Sequence, residues 1–253
     1  MYSLESAWGT SPTNLWAVGT DGTIAHWDGT AVTTRNRGTA ALHDIWGVAG
    51  GAAWIVGDNG TTLNMDASGT ITAPASGVAT ALYRVWGSSA TNVWAAGDLG
   101  TLIHYDGKTW TTANSQTSRP LYALGAGSAS EVWAAGLTGT MTRSYSSGWL
   151  LLSSGTEYPL QAVWGTDAAN VWAIAGDGSI VRRGAGGWTL QTSNTQASLR
   201  GLWGRSAADL WAVGVSGTIL SGNYGPRSNT DKVAWLQRCG KPYPGRPRRA
   251  PRP

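Results

Sequence analysis

A unit of about 39 residues is written six times along this chain, and its second apolar segment is apolar at consecutive positions. The clearest copy reads LYRVWGSSATNVWAAGDLGTLIHYDGKTW, from Leu82 to Trp110. Units begin at Leu4, Leu42, Leu82, Leu121, Leu160 and Leu199, with spacings of 38, 40, 39, 39 and 39 residues. A Trp occupies the second segment of every unit: Trp16, Trp54, Trp94, Trp133, Trp172 and Trp211. An earlier Trp stands in five units (Trp8, Trp46, Trp86, Trp164, Trp203), with Gly125 in the fourth. A third closes the unit at Trp110, Trp149 and Trp188, where the first two units carry Val32 and Ile71.

Each unit reads as four short strands: in the third, Leu82 to Gly87, Val93 to Gly97, Thr101 to Asp106, and a strand around Trp110. The turn between the second and third strands ends in Gly (Gly22, Gly60, Gly100, Gly139, Gly178, Gly217), which a tight connection needs where φ is positive. The second strand decides the architecture. Val93, Trp94, Ala95 and Ala96 show no alternation, so this strand must be covered on both faces. With only three Glu and three Lys in 253 residues, the chain has little with which to clothe helices, so the covering layers must be other sheets. Four-stranded sheets of this length, repeated and packed face to face around an axis, make an all-β, six-bladed β-propeller with antiparallel blades. Residues 1–224 carry it. The sixth unit runs out near Asn223, so the last blade is expected either to stop at three strands or to borrow a fourth from 232–238.

Composition agrees with the pattern. The 36 Gly and 16 Trp are largely one motif counted six times, and the 13% of charged residues suits strands buried on both faces. The net charge of +4 divides unevenly. Residues 1–224 hold ten basic and thirteen acidic residues, whereas 225–253 hold eight basic and one acidic. The Pro-rich basic segment GKPYPGRPRRAPRP is expected to be extended and, at most, to meet acidic surfaces without sequence-specific nucleic-acid recognition. No apolar run reaches the length of a membrane span, and the N-terminus lacks signal-peptide character. Cys239 is the single cysteine, so an intrachain disulfide is excluded.

The segment DGKTW at Asp106–Trp110, with the weaker DGTAV at Asp28–Val32, resembles a shortened Asp box of bacterial-neuraminidase (BNR) repeats; units five and six lack the Asp. The wider VWG…NVWAVG…G-T pattern is similar to propeller repeats of large bacterial secreted and surface proteins and, more distantly, to photosystem-assembly-factor propellers. The resemblance covers residues 4 to about 224. It implies a secreted or surface location and a binding or scaffolding role toward a protein or a glycan. Sialidases share such repeats, so that activity is the alternative, and an assembly factor holding a protein segment is another. A sialidase-type site would need an arginine cluster and a Tyr nucleophile paired with Glu. Arg84, Arg143, Arg182, Arg200 and the Glu157–Tyr158 pair are the residues available, yet no unit exceeds 40 residues to supply catalytic inserts. No catalytic constellation is therefore expected.

Neither cofactor nor metal is expected. Single acids in the second-to-third-strand turns (Asp21, Asp58, Asp98, Asp177) do not supply a calcium loop, and His26, His43 and His104 form no Cys/His cluster. The second-strand tryptophans are expected to fill the gaps between blades rather than to stack on sugars. The informative position is the one where the units differ. The residue after the leading Leu reads Glu5, His43, Tyr83, Tyr122, Gln161 and Arg200. These six are expected at the rim of the central channel, beside the second-to-third-strand turns, as a ligand-binding ring.

Overall fold

A computed structural model of the chain describes residues 2–128, 131–184, 186–222 and 235–237. Its described residues form a six-bladed β-propeller, nearly all β. Blade 1 comprises β1 (Leu4–Ser11), β2 (Asn14–Gly19), β3 (Thr23–Trp27) and β4 (Val32–Asn36). Blade 2 comprises β5 (Leu42–Gly47), β6 (Ala53–Gly57), β7 (Thr62–Met65) and β8 (Ile71–Thr72), and blade 3 comprises β9 (Leu82–Ser89), β10 (Asn92–Gly97), β11 (Leu102–Tyr105) and β12 (Trp110–Thr112). Blade 4 has β13 (Leu121–Ser128), β14 (Glu131–Gly136), β15 (Thr140–Tyr145) and β16 (Gly148–Ser153). Blade 5 has β17 (Leu160–Asp167), β18 (Asn170–Ala175), β19 (Ile180–Gly184) and β20 (Gly187–Gln191). Blade 6 has β21 (Leu199–Ser206), β22 (Asp209–Gly214) and β23 (Ile219–Gly222), with the three-residue β24 (Trp235–Gln237) paired to β23. The remainder of the basic segment 225–253, with Cys239, lies outside the described residues.

Every blade is an antiparallel meander in chain order. The first strands of successive blades lie against one another (β1 on β5, β5 on β9, β9 on β13, β13 on β17, β17 on β21), so they form the innermost layer. In five blades the first strand runs two residues longer than the sequence pattern suggests because the next connection is very short, as where β9 and β10 are joined by Ala90 and Thr91 alone; in blade 2, β5 stops at Gly47 and the connection to β6 is longer.

The doubly apolar second strand works as its sequence requires. One face carries the Trp and the residue two later, and it packs forward onto the next blade. The other face carries the intervening apolar residues, and it packs backward. Trp16, Val18 and Ile24 thus join Leu42, Ile45 and Ile55 of blade 2. Trp172, Ile174 and Ile180 join Leu199, Leu210 and Ala212 of blade 6. Trp54, Trp133 and Trp172 are almost wholly buried, in line with a core role for these rings. Trp94 and Trp211 are only partly buried.

The turn after the second strand closes over two residues at positive φ: Thr101 N–H donates to Asp98 C=O at 2.9 Å across Leu99 and Gly100. Asp98–Gly100 makes a single 3-10 turn with Leu99 at φ 53° and Gly100 at φ 71°. Asp98 N–H donates to Ala81 C=O at 2.9 Å, tying the turn to the entry of the same blade's first strand. The turns that resemble an Asp box join the third and fourth strands. Asp106 accepts from the N–H groups of Lys108 and Thr109, both at 2.9 Å. Asp28 accepts from Thr30 N–H, Thr30 Oγ1 and Ala31 N–H at 2.7–2.8 Å, which hold its carboxyl at a pKa of about 2. Asp66 does the same in blade 2 with Ser68 and Thr70, a third copy hidden by its different flanking residues.

The histidines and arginines of the third strands have a structural explanation. His26 stacks on Trp16 with centroids 3.9 Å apart, and its Nε2 meets Asn14 Oδ1 at 2.8 Å. His104, Trp94 and Asn92 repeat the arrangement. In blades 4 and 5, Arg143 and Arg182 take the histidine's place, over Trp133 and Trp172, bonded to Glu131 and Asn170. In these four blades a planar cation or imidazole lies over the second-strand Trp, whereas blades 2 and 6 carry Asn64 and Ser221 opposite Trp54 and Trp211.

Candidate functional site at the channel rim

The six variable residues share one backbone feature. In blade 1 the β1–β2 ladder steps from Leu4 opposite Gly19 to Ser6 opposite Val18, leaving Glu5 unpaired as a bulge. The same step leaves out His43, Tyr83, Tyr122, Gln161 and Arg200 in the other five blades. A bulge takes a side chain out of the in/out alternation and re-aims it, so these residues escape the packing that fixes the leading Leu of every first strand. Their variety in the sequence follows from that freedom.

The structure joins four of the six into a continuous run over blades 1 to 4. His43 Nδ1 is 2.7 Å from Glu5 Oε2, and His43 Nε2 is 2.8 Å from Asp58 Oδ1. The His43 and Tyr83 rings are 5.5 Å apart, and the Tyr83 and Tyr122 rings 5.6 Å. Among the described residues, no side-chain hydrogen bond or ring contact connects Gln161 or Arg200 to this run.

The local charge is negative. Burial opposes charge on His43, but the hydrogen bonds and charges of Glu5 and Asp58 outweigh it and raise its pKa above the ordinary histidine value. Burial also raises the Tyr83 phenol, helped by the charges of Asp98, Tyr122 and Asp58. A folded-state pKa raised above 6.5 gives stability that is full below pH 6.5 and lost as pH rises through the raised value. His43→Gln should therefore cost more stability at about pH 5.5 than at about pH 8.5. Urea unfolding of both proteins at the two pH values checks this, and a pH-independent difference would refute it.

Beneath the rim, Asp44 braces three blades, a role the sequence reading did not single out. Ser6 Oγ donates to Asp44 Oδ1 at 2.6 Å, and Val85 N–H donates to Oδ2 at 3.0 Å. Burial pushes the Asp44 carboxyl up, opposed by the nearby Arg84 cation. The signal was one column further along: the next residue of each unit reads Ser6, Asp44, Arg84 and then Ala123, Ala162 and Gly201, so the polar residues fall on consecutive blades.

Of the residues considered for sialidase chemistry, three arginines are engaged elsewhere, and Arg200 is exposed at its bulge. Arg84 donates to its neighbour's carbonyl, Tyr83 O, at 2.9 Å and faces Asp44. Arg143 pairs with Glu131 at 2.8 Å, and Arg182 meets Asn170 at 3.1 Å. Glu157 and Tyr158 lie in an exposed loop after β16. Away from the rim, a recess of about 460 Å³ between blades 3 and 4 is lined by Trp94, Trp149, Tyr145, Asn114, Gln116 and Ser144.

Against known proteins, the likeness is one of shape. No protein-family model and no curated protein matches the chain. A structure of YCF48 bound to D1 peptide is similar with a TM-score of 0.72 at 16% identity, covering 93% of this chain and 80% of that one. YCF48 from Cyanidioschyzon merolae is similar with a TM-score of 0.67 at 12% identity, covering 94% of this chain and 85% of that one. The WD40 β-propeller domain of Doa1 is similar with a TM-score of 0.76 at 10% identity, covering 90% of this chain and 80% of that one. These likenesses establish the propeller fold and nothing finer.

Proposed function

We propose that this propeller is a non-catalytic binding module that holds an extended peptide carrying Lys or Arg across the rim of blades 1 to 4. One observation carries the reading: Glu5, His43, Tyr83 and Tyr122, all released from the strand ladder, form with the turn residue Asp58 one connected, acidic and aromatic run. Carboxylates take ammonium or guanidinium groups by charge-assisted hydrogen bonds, and tyrosine faces attract the same cations. The similar structure of YCF48 holds a peptide, which supports a polypeptide ligand over a glycan. Scaffolding in an extracytoplasmic setting, as the resemblance to secreted and surface repeats implies, agrees with such a module.

Titrating fluorescently labelled peptides tests the proposal. A peptide with two or three Lys/Arg residues is expected to bind in the micromolar range, and its Glu/Asp counterpart much more weakly. Affinity for the basic peptide should rise from about pH 5.5 to about pH 8.5, because neutral His43 leaves the Glu5 and Asp58 charges uncompensated. Preference for acidic peptides, or binding on a glycan array with no peptide binding, would overturn the reading.

A further inference from the structure

Five of the six seams of this ring share one construction, and the sixth does not. At each of the five, a forward face with Trp packs on a backward face led by Leu. At the seam from blade 6 to blade 1, β21 and β1 do not pack closely as the first strands at the other five seams do. The burial of equivalent residues shows the difference. The leading Leu is at most 2% exposed in blades 2 to 6, but Leu4 of blade 1 is 49% exposed. On the forward side, Val18 and Ile174 are fully buried, whereas their equivalent Val213 is 46% exposed. Ile219 is 38% exposed where Ile180 is buried, and Trp203 is the one exposed tryptophan among the described residues.

We propose that the seam between blades 6 and 1 is a docking site for one further four-stranded blade of this same repeat type. Its Trp-bearing face seats on Leu4 and Leu15 of blade 1. Its Leu-bearing face seats on Trp203, Val213 and Ile219 of blade 6. The choice of occupant follows from continuity with the established interfaces. The two exposed faces are one of each kind, and five seams show what each kind packs against. A single blade covers both at once. A second copy of the chain would cover one face per contact and leave another open, which propagates rather than closes. Polar residues do not replace the apolar ones at these positions, as they would on faces meant for water.

The test places a copy of residues 82–120 directly ahead of Leu4, which reproduces the natural junction between Pro120 and Leu121. Leu15→Cys and Val213→Cys are made singly, with Cys239→Ser, in the 253-residue chain and in the extended protein. Thiol labelling rates and mass in solution are measured. Both thiols are expected to react freely in the 253-residue chain and at least about tenfold more slowly in the extended one, each protein being monomeric. Three results would overturn the proposal. Val213→Cys staying reactive in the extended protein would mean that the added blade does not span the seam. Protection of both thiols in a monomeric 253-residue chain would mean that its own residues cover the faces. Protection in a dimer would make a second copy the occupant. If the extended protein fails to fold, the same experiment with residues 160–198 as the added copy supplies the answer, and labelling of the unextended chain reports independently.

Discussion

Trp133→Ala should lower the free energy of unfolding by about 3–5 kcal/mol, whereas Trp203→Ala should cost about 0.5 kcal/mol or less. Both are repeat-encoded tryptophans, and the difference comes only from what lies against them. Trp133 is fully buried between blades 4 and 5, edge-on to Trp188 at 5.3 Å, with Arg143 and Arg183 over its ring. Its indole N–H has no hydrogen-bond partner among the described residues, so truncation costs packing and buried apolar surface rather than a polar contact. Trp203 is 57% exposed on the forward face of blade 6. Urea denaturation of the two variants beside the parent measures both. Equal costs would mean that Trp203 is covered in solution.

Gly97→Ala should cost about 3 kcal/mol, for a reason unrelated to backbone conformation. Gly97 has an extended φ of −165°, which any residue adopts. A Cβ there would sit 1.9 Å from Ala81 O, the oxygen that accepts the Asp98 N–H. Relief requires parting the first strand from the second and breaking that bond. Gly50→Ala faces open space and should be neutral to within about 0.5 kcal/mol. Thermal or urea melts of the pair distinguish the cause. If both substitutions are equally mild, the close approach at Gly97 is not enforced in solution.

The blade architecture was legible because it rests on repetition and on a physical impossibility. A strand apolar at Val93, Trp94, Ala95 and Ala96 in turn has no solvent face, and a chain this poor in helix-forming charged residues has only sheets to cover it. The six bulge positions stood out for the opposite reason: only the third and fourth units share a residue there, although the column that follows varies as well. Their physical basis, the bulge that frees Glu5, His43, Tyr83 and Tyr122, was not legible, since a bulge depends on the register between two strands. Asp58 was read as a turn residue, and its hydrogen bond to His43 depends on how the turn folds back beside the first strand of its own blade. The exposed Leu4 could not be foreseen either. Leu4 and Leu82 are the same letter in the same motif, and only three-dimensional packing distinguishes their surroundings.

The central claim is that the bulge residues at the rim form the ligand site. It is tested most directly by comparing a rim variant with a groove variant in the basic-peptide titration. The rim variant is Tyr83→Ala with Tyr122→Ala, and the groove variant is Trp149→Ala with Asn114→Ala, each checked for parent-like circular dichroism. The account predicts a loss of about 30-fold or more in affinity for the rim variant, the scale of a binding hot spot, with the groove variant binding as the parent does. Parent-like binding by the rim variant, with affinity lost instead in the groove variant, would contradict it.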